Sequence, residues 1–306
     1  MDEKASLLSL PAEYGKGMKE QPKYKWWKPI VAALLAAVFT VIFVIALAIV
    51  LAIAANACGA TSFLENLLGV AGLGDSGNYL GFDGDDPFGL AFSFGNIIVI
   101  IPAIILACKI TGLVPFGRIS SVEGKLRWDR IRALFPWALL VIVAFTALQL
   151  GIAVATGEDL GEVRFPVAAI IVILVLCPLQ CAAEEYMCRG FLMQAFQSWI
   201  PVVIVPLILQ TIAFALLHGY NIVGNVSVAL MGLLMGYLTV KTGGLEAGIC
   251  IHSANNLVSF LMGAVFVTQQ TQSEISMVDF GIDLALQVAF LVVVYLVCKR
   301  KGYLLK

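Results

Sequence analysis

The sequence predicts an all-α polytopic membrane protein, with about eight transmembrane helices and a polar cavity inside the membrane. Three observations carry that prediction. Of 306 residues, 60% are hydrophobic and only 13% are charged, against roughly half and a quarter in a soluble domain. The apolar residues fall in runs of about 17 to 25, the length a helix needs to cross a bilayer. The charges gather between those runs, with lysine and arginine concentrated in alternate intervals, as the positive-inside rule demands of a chain that crosses repeatedly.

Taken in order, residues 1–28 form a lysine-rich tail. The run 29–55 behind it is far longer than the roughly 7–15 residues of a signal-peptide core, so it is read as a retained first helix. The glycine-rich loop 58–89 ends in FDGDDPF. Its carboxylates lack the spacing of a complete calcium loop, so a solvated acidic outer loop is expected. Spans 90–113 and 135–156 complete an N-terminal membrane region, 29–156. Between them, KLRWDRIRALF at 125–135 has the pattern of an amphipathic helix lying on the membrane surface. Spans 165–187, 201–218, 222–240 and 245–267 form a second region, 165–267, and span 280–298 leads into a basic tail within 280–306. No internal repeat points to an inverted-repeat transporter.

Orientation follows from the basic residues. Six lysines precede the first span, Arg118, Lys125, Arg127, Arg130 and Arg132 follow the second, and Lys299, Arg300, Lys301 and Lys306 close the chain. Arg164 is the one basic residue left on the far side, which carries Asp75, Asp83, Asp85, Asp86, Glu158, Asp159 and Glu274. Eight spans with both termini cytoplasmic, in the plasma membrane, satisfy this count. Trp26, Trp27, Trp128, Trp137 and Trp199 fall near the same cytoplasmic ends, where indole rings favour the headgroups. A net charge of −1 gives no reason to expect a nucleic-acid partner. Six of the seven cysteines lie in or beside apolar runs, leaving only Cys58 in a loop, so no disulfide framework is expected.

The residues that could do chemistry sit where they are costly. In CAAEEYMCRGF, residues 181–191, two glutamates and an arginine end an apolar run, and ionisable groups inside a membrane are functional by default. Glu185 and Arg189 share a helix face at i,i+4 and can neutralise one another. Glu184 points about 100° away and is left as a candidate general base. The chain has only two histidines, and both fall in or at the end of apolar runs. In FALLHG, Phe214 lies one turn before His218 and is either a wall of the site or ordinary packing. A turn near 199–201 would bring Glu184 and His218 to similar depth, about 22 and 26 Å from it. In CIHSANNL, His252 and Asn256 share a face, with Asn255 as the competing partner.

Glu184, Glu185 and Arg189, then Phe214 and His218, then His252 and Asn256, read in order as EExxxR, FxxxH and HxxxN. This resembles the intramembrane proteases that group CAAX prenyl endopeptidases with bacteriocin-processing and bacteriocin-immunity proteins, over about residues 165–260. The resemblance implies a glutamate-dependent peptidase. Glu184 and His218 would activate a water, His252 and Asn256 would stabilise the oxyanion, and Glu185, Arg189 and Phe214 would support them. No cofactor is expected, because a histidine and an asparagine at i,i+4 suit an oxyanion hole better than a metal shell, with zinc on Glu184, His218 and His252 as the alternative. The expected partners are the lipid bilayer and a membrane-associated peptide or protein substrate, prenylated in the members named for the CAAX reaction. The competing readings are a non-catalytic peptide-binding or immunity protein, and a transporter with a proton relay.

Overall fold

The computed structural model describes residues 10–70, 86–157, 160–267 and 277–305. The first helix, α1 (Lys28–Cys58), opens with Pro29, whose missing N–H costs nothing in a first turn. Leu34, Val38, Val41, Ile42 and Ile45 point outward from it and are exposed. Water would meet a continuous apolar patch there; a lipid solvent makes that face stable.

After α2 (Thr61–Val70), the span 87–111 is built from α3 (Pro87–Ile98) and α4 (Ile100–Thr111). The break at Val99 follows from Pro102, which has no N–H to return to the Ile98 carbonyl. Asp86 caps α3 by accepting the Phe88 N–H at 2.9 Å. Asp75, Asp83, Asp85, Glu158, Asp159 and Glu274 of the expected acidic face lie outside the described residues.

α5 (Phe116–Ser120) is followed by α6 (Trp128–Thr156), and here the structure corrects the expected surface helix at 125–135. From Trp128 onward that stretch belongs to α6, with Pro136 inside the helix. Two of its basic residues, Arg127 and Arg130, are held by protein, while Lys125 and Arg132 are exposed. Arg127 pairs with Glu246, and Arg130 donates to the carbonyls of Thr242 and Tyr303.

α7 (Val167–Glu185) runs through a π-helical stretch, Tyr186–Leu192, into α8 (Met193–Trp199), so 33 residues are continuous from Val167. The later helices are α9 (Ile204–Leu216), α10 (Ile222–Thr242), α11 (Glu246–Val265) and α12 (Met277–Lys301). A two-residue antiparallel pairing, Glu162–Val163 with Phe266–Val267, ties the start of α7 to the end of α11.

Among the described residues, seven helices are long and apolar enough to cross a membrane. The expected span 201–218 is the difference. It is realised as α9, 13 residues, about 20 Å at 1.5 Å per residue and short of the ~30 Å hydrocarbon core. Pro201 cannot join a helix from α8, and at the other end Asn221 caps α10 by accepting the Gly224 N–H, which separates the two helices. The all-α polytopic architecture is otherwise the one read from the sequence.

α11 packs against α6, α7 and α10, and α12 against α6 and α10. The N-terminus of α11 is clamped from outside. Glu246 accepts the backbone N–H of Arg127 at 2.9 Å and its guanidinium at 2.9 and 2.5 Å, all of it buried. Gly243, at φ 66°, makes the left-handed turn between α10 and α11. The tail also packs on the helices. Tyr14 and Met18 are buried, the Tyr14 hydroxyl donates to the Ile119 carbonyl, and Trp199 Nε1 donates to the Trp26 carbonyl at 2.7 Å. All seven cysteines are free, and only Cys58 is exposed.

Candidate active site

Glu185 is the centre of the buried cluster. Its side chain and that of Arg189 are fully excluded from solvent, and Arg189 Nη1 donates to Glu185 Oε1 at 2.9 Å. The i,i+4 pairing survives although a π-helical turn begins at Tyr186, a distortion found often at functional sites. The same Glu185 oxygen accepts His252 Nδ1–H at 2.9 Å, a link between α7 and α11 that spacing along either helix does not contain. The helices can come that close because residue 248 is glycine. A Cβ there would stand 2.5 Å from Glu185 Oε2.

Arg189 is completed by an aromatic face. Its Cζ lies 4.2 Å from the Phe214 ring centroid, a buried cation–π contact. Gly232 on α10 leaves room for both, since a Cβ there would meet Phe214 Cδ1 at 3.0 Å and Arg189 Nη2 at 3.1 Å. Phe214 also touches the rings of His218 and His252, with centroids 4.7 and 5.9 Å away. It is therefore both a wall of the site and a packing residue.

Holding Nδ1 on Glu185 turns His252 Nε2 toward Glu184, whose Oε2 lies 3.6 Å away. That oxygen is buried and makes no hydrogen bond among the described residues. The other, Oε1, accepts from Gln180 Nε2 at 2.5 Å. Gln180 was not singled out from the sequence, although it stands one turn before Glu184.

His218 lines a cavity that His252 also lines, whereas Glu184 stands behind His252 and is not on its wall. The His218 Nδ1–H donates to the Phe214 carbonyl at 2.8 Å, which leaves Nε2 as the acceptor of the neutral ring. Among the described residues no ion pair joins His218 to Glu184, so the expected meeting of those two is replaced by the Glu184–His252 approach. Asn255 and Asn256 both line the cavity, and Asn255 donates to Asn256 Oδ1 at 3.2 Å, leaving the Asn256 amide hydrogens for another partner. The cavity measures about 360 Å³ and has Phe214, His218, His252 and Asn256 on its walls.

Zinc can be tested against this geometry. Among the described residues no three His, Cys, Asp or Glu side chains are grouped as a metal shell. Glu184 and His252 approach each other, but His218 is not gathered with them as a ligand shell.

Apolar helices closed around a buried carboxylate–arginine–histidine cluster, with an asparagine-lined cavity beside it, define a polytopic membrane protein with an intramembrane polar site. Its motif-bearing part has relatives. Residues 166–258 match the family model described as type II CAAX prenyl endopeptidase, Rce1-like. This is the family that the three motifs resemble, and the matched stretch holds all seven motif residues. The uncharacterized protein YyaK of Bacillus subtilis (strain 168) is 29% identical over 182 residues, covering 56% of this chain and 58% of the relative's length. No solved structure matches the chain.

Proposed function

We propose that this protein is an intramembrane endopeptidase that hydrolyses a peptide bond in a membrane-associated or lipidated substrate. The observation that carries the reading is the unpartnered Glu184 Oε2 facing His252 Nε2 at 3.6 Å, beside a polar cavity bounded by apolar helices. A water resting against both groups would be held and polarised by them. Glu184 takes one of its protons as the oxygen attacks the scissile carbonyl, and His218, with Nε2 free as an acceptor, shares that work. The Asn256 amide donates to the oxyanion, with the His252 ring, held by Glu185, beside it. Collapse of the intermediate breaks the C–N bond, and the proton passes to the leaving amine. Glu185 and Arg189 orient His252, while Phe214 excludes water from that pair.

Metal-free catalysis, a prenylated substrate, the plasma membrane as location and cytoplasmic termini belong to the same proposal. The family match supports the peptidase class, and the distribution of basic residues supports the orientation, with α9 as a short crossing between the Trp199 end, bonded to Trp26, and α10, whose far end meets Arg130. One observation favours a second reading: among the described residues no ion pair joins Glu184 to His218, as a non-catalytic peptide-binding or immunity protein would permit. Turnover separates them. Membranes carrying the wild-type protein should contain peptide termini that are missing with Glu184→Gln at equal abundance, whereas the non-catalytic reading requires identical termini.

A further inference from the structure

Beyond the residues of the family match, one more carboxylate lines the cavity. Asp283 lies on α12 within a membrane-spanning helix, on a wall shared with His218, His252 and Asn256. Ser227 Oγ on α10 donates to Asp283 Oδ2 at 3.1 Å. Behind it, Gln287 Nε2 donates to Ser227 Oγ at 3.0 Å and to the Ser227 carbonyl at 3.1 Å. Ser227 and Gln287 are buried, so the Asp283 carboxylate is held in a fixed position from behind.

Among the described residues, no lysine or arginine lines the cavity, and Asp283 is in no ion pair. Hydrogen bonds from a hydroxyl can fix a carboxylate but do not neutralise it, and a membrane span is an expensive setting for an idle one. Helix adhesion alone would need only a neutral side chain at this position, because asparagine could accept the same Ser227 bond.

We infer that Asp283, held by Ser227 and Gln287, is a specificity-determining subsite that binds a cationic group of the substrate: a lysine or arginine side chain, or a free amino terminus. The inference deepens the peptidase reading and rests on it for the peptide nature of the ligand. A basic residue seated on Asp283 would register the chain against Glu184 and His252, so charge on the substrate would choose the bond that is cut.

The test uses the full-length protein in phosphatidylcholine nanodiscs and a panel of acyl-anchored decapeptides, identical except for lysine or glutamine at successive positions. Binding is read by fluorescence anisotropy in the Glu184→Gln background, where nothing is consumed. Lysine at one position should tighten binding about tenfold, the equivalent of one favourable charge contact. Asp283→Asn should bring lysine and glutamine peptides to parity with the glutamine peptide unchanged, and Asp283→Glu should retain the preference. A lysine preference that is absent, or that survives Asp283→Asn, overturns the inference.

A second measurement needs no substitution. Carbodiimide coupling of the bound lysine peptide to the unmodified protein should give an amide to Asp283, and coupling only to other carboxylates would also overturn it. Hydrolysis by the protein with Glu184 intact is measured separately. A lysine preference that depends on Asp283 without any hydrolysis would remove the peptidase reading and leave the subsite standing.

Discussion

Gly248→Ala is the substitution that most closely tests how the site is positioned. The added Cβ would stand 2.5 Å from Glu185 Oε2 and 3.3 Å from its carboxyl carbon, where ordinary contact begins at 3.4 Å. The carboxylate must yield by roughly 0.9 Å, and because its other oxygen holds both Arg189 and His252, the His252 ring moves with it; a misplacement of about 1 Å costs on the order of 100-fold in turnover. Stability should change much less. Overpacking costs about 1–3 kcal/mol, offset by about 1 kcal/mol of helix propensity gained on replacing glycine by alanine. Gly263→Ala is the matched control on the same helix, since its Cβ would meet nothing within 4 Å. The assay is hydrolysis of an identified substrate in nanodiscs, alongside thermal inactivation of both variants. Gly248→Ala with unchanged turnover would refute the argument that Glu185 sets the position of His252.

Three further outcomes follow from the same geometry. Asn256→Ala should lower kcat by about 100- to 1,000-fold with little change in KM, because an oxyanion donor acts in the transition state, and steady-state kinetics separates the two. Arg127→Ala should destabilise the protein by about 3–5 kcal/mol by stranding the buried Glu246 charge, while the double replacement Arg127→Met with Glu246→Met should cost less than either single change; thermal unfolding in detergent reads both. Turnover should survive exhaustive treatment with a chelator, and activity lost on chelation and restored by zinc would return the ion to the mechanism.

What the sequence disclosed was mostly local. Apolar run lengths located the helices, because a bilayer admits few backbone solutions. Spacing at i,i+4 anticipated the Glu185–Arg189 pair and the joint projection of His252 and Asn256 into one cavity. What it did not disclose was tertiary. The bond from Glu185 to His252 joins residues 67 apart, and the glycines that allow it look like any others in an apolar helix. The span 201–218 read as long enough because hydropathy does not register how early a proline and an asparagine cap end a helix. Arg127 counted as one more cytoplasmic charge, yet it is buried against Glu246, since positive charge near a membrane end has the same sequence signature in headgroups and in an ion pair. Asp283 counted for nothing, being a single carboxylate outside the three motifs.

The most direct test of the central claim, that Glu184 activates a water inside the membrane, is to incubate membranes in water enriched in oxygen-18 and sequence the new peptide termini. The account predicts new carboxyl termini carrying one solvent oxygen in membranes with the wild-type protein, and none of them in membranes with an equal amount of folded Glu184→Gln. The same labelled termini in both samples, or in neither, would contradict it.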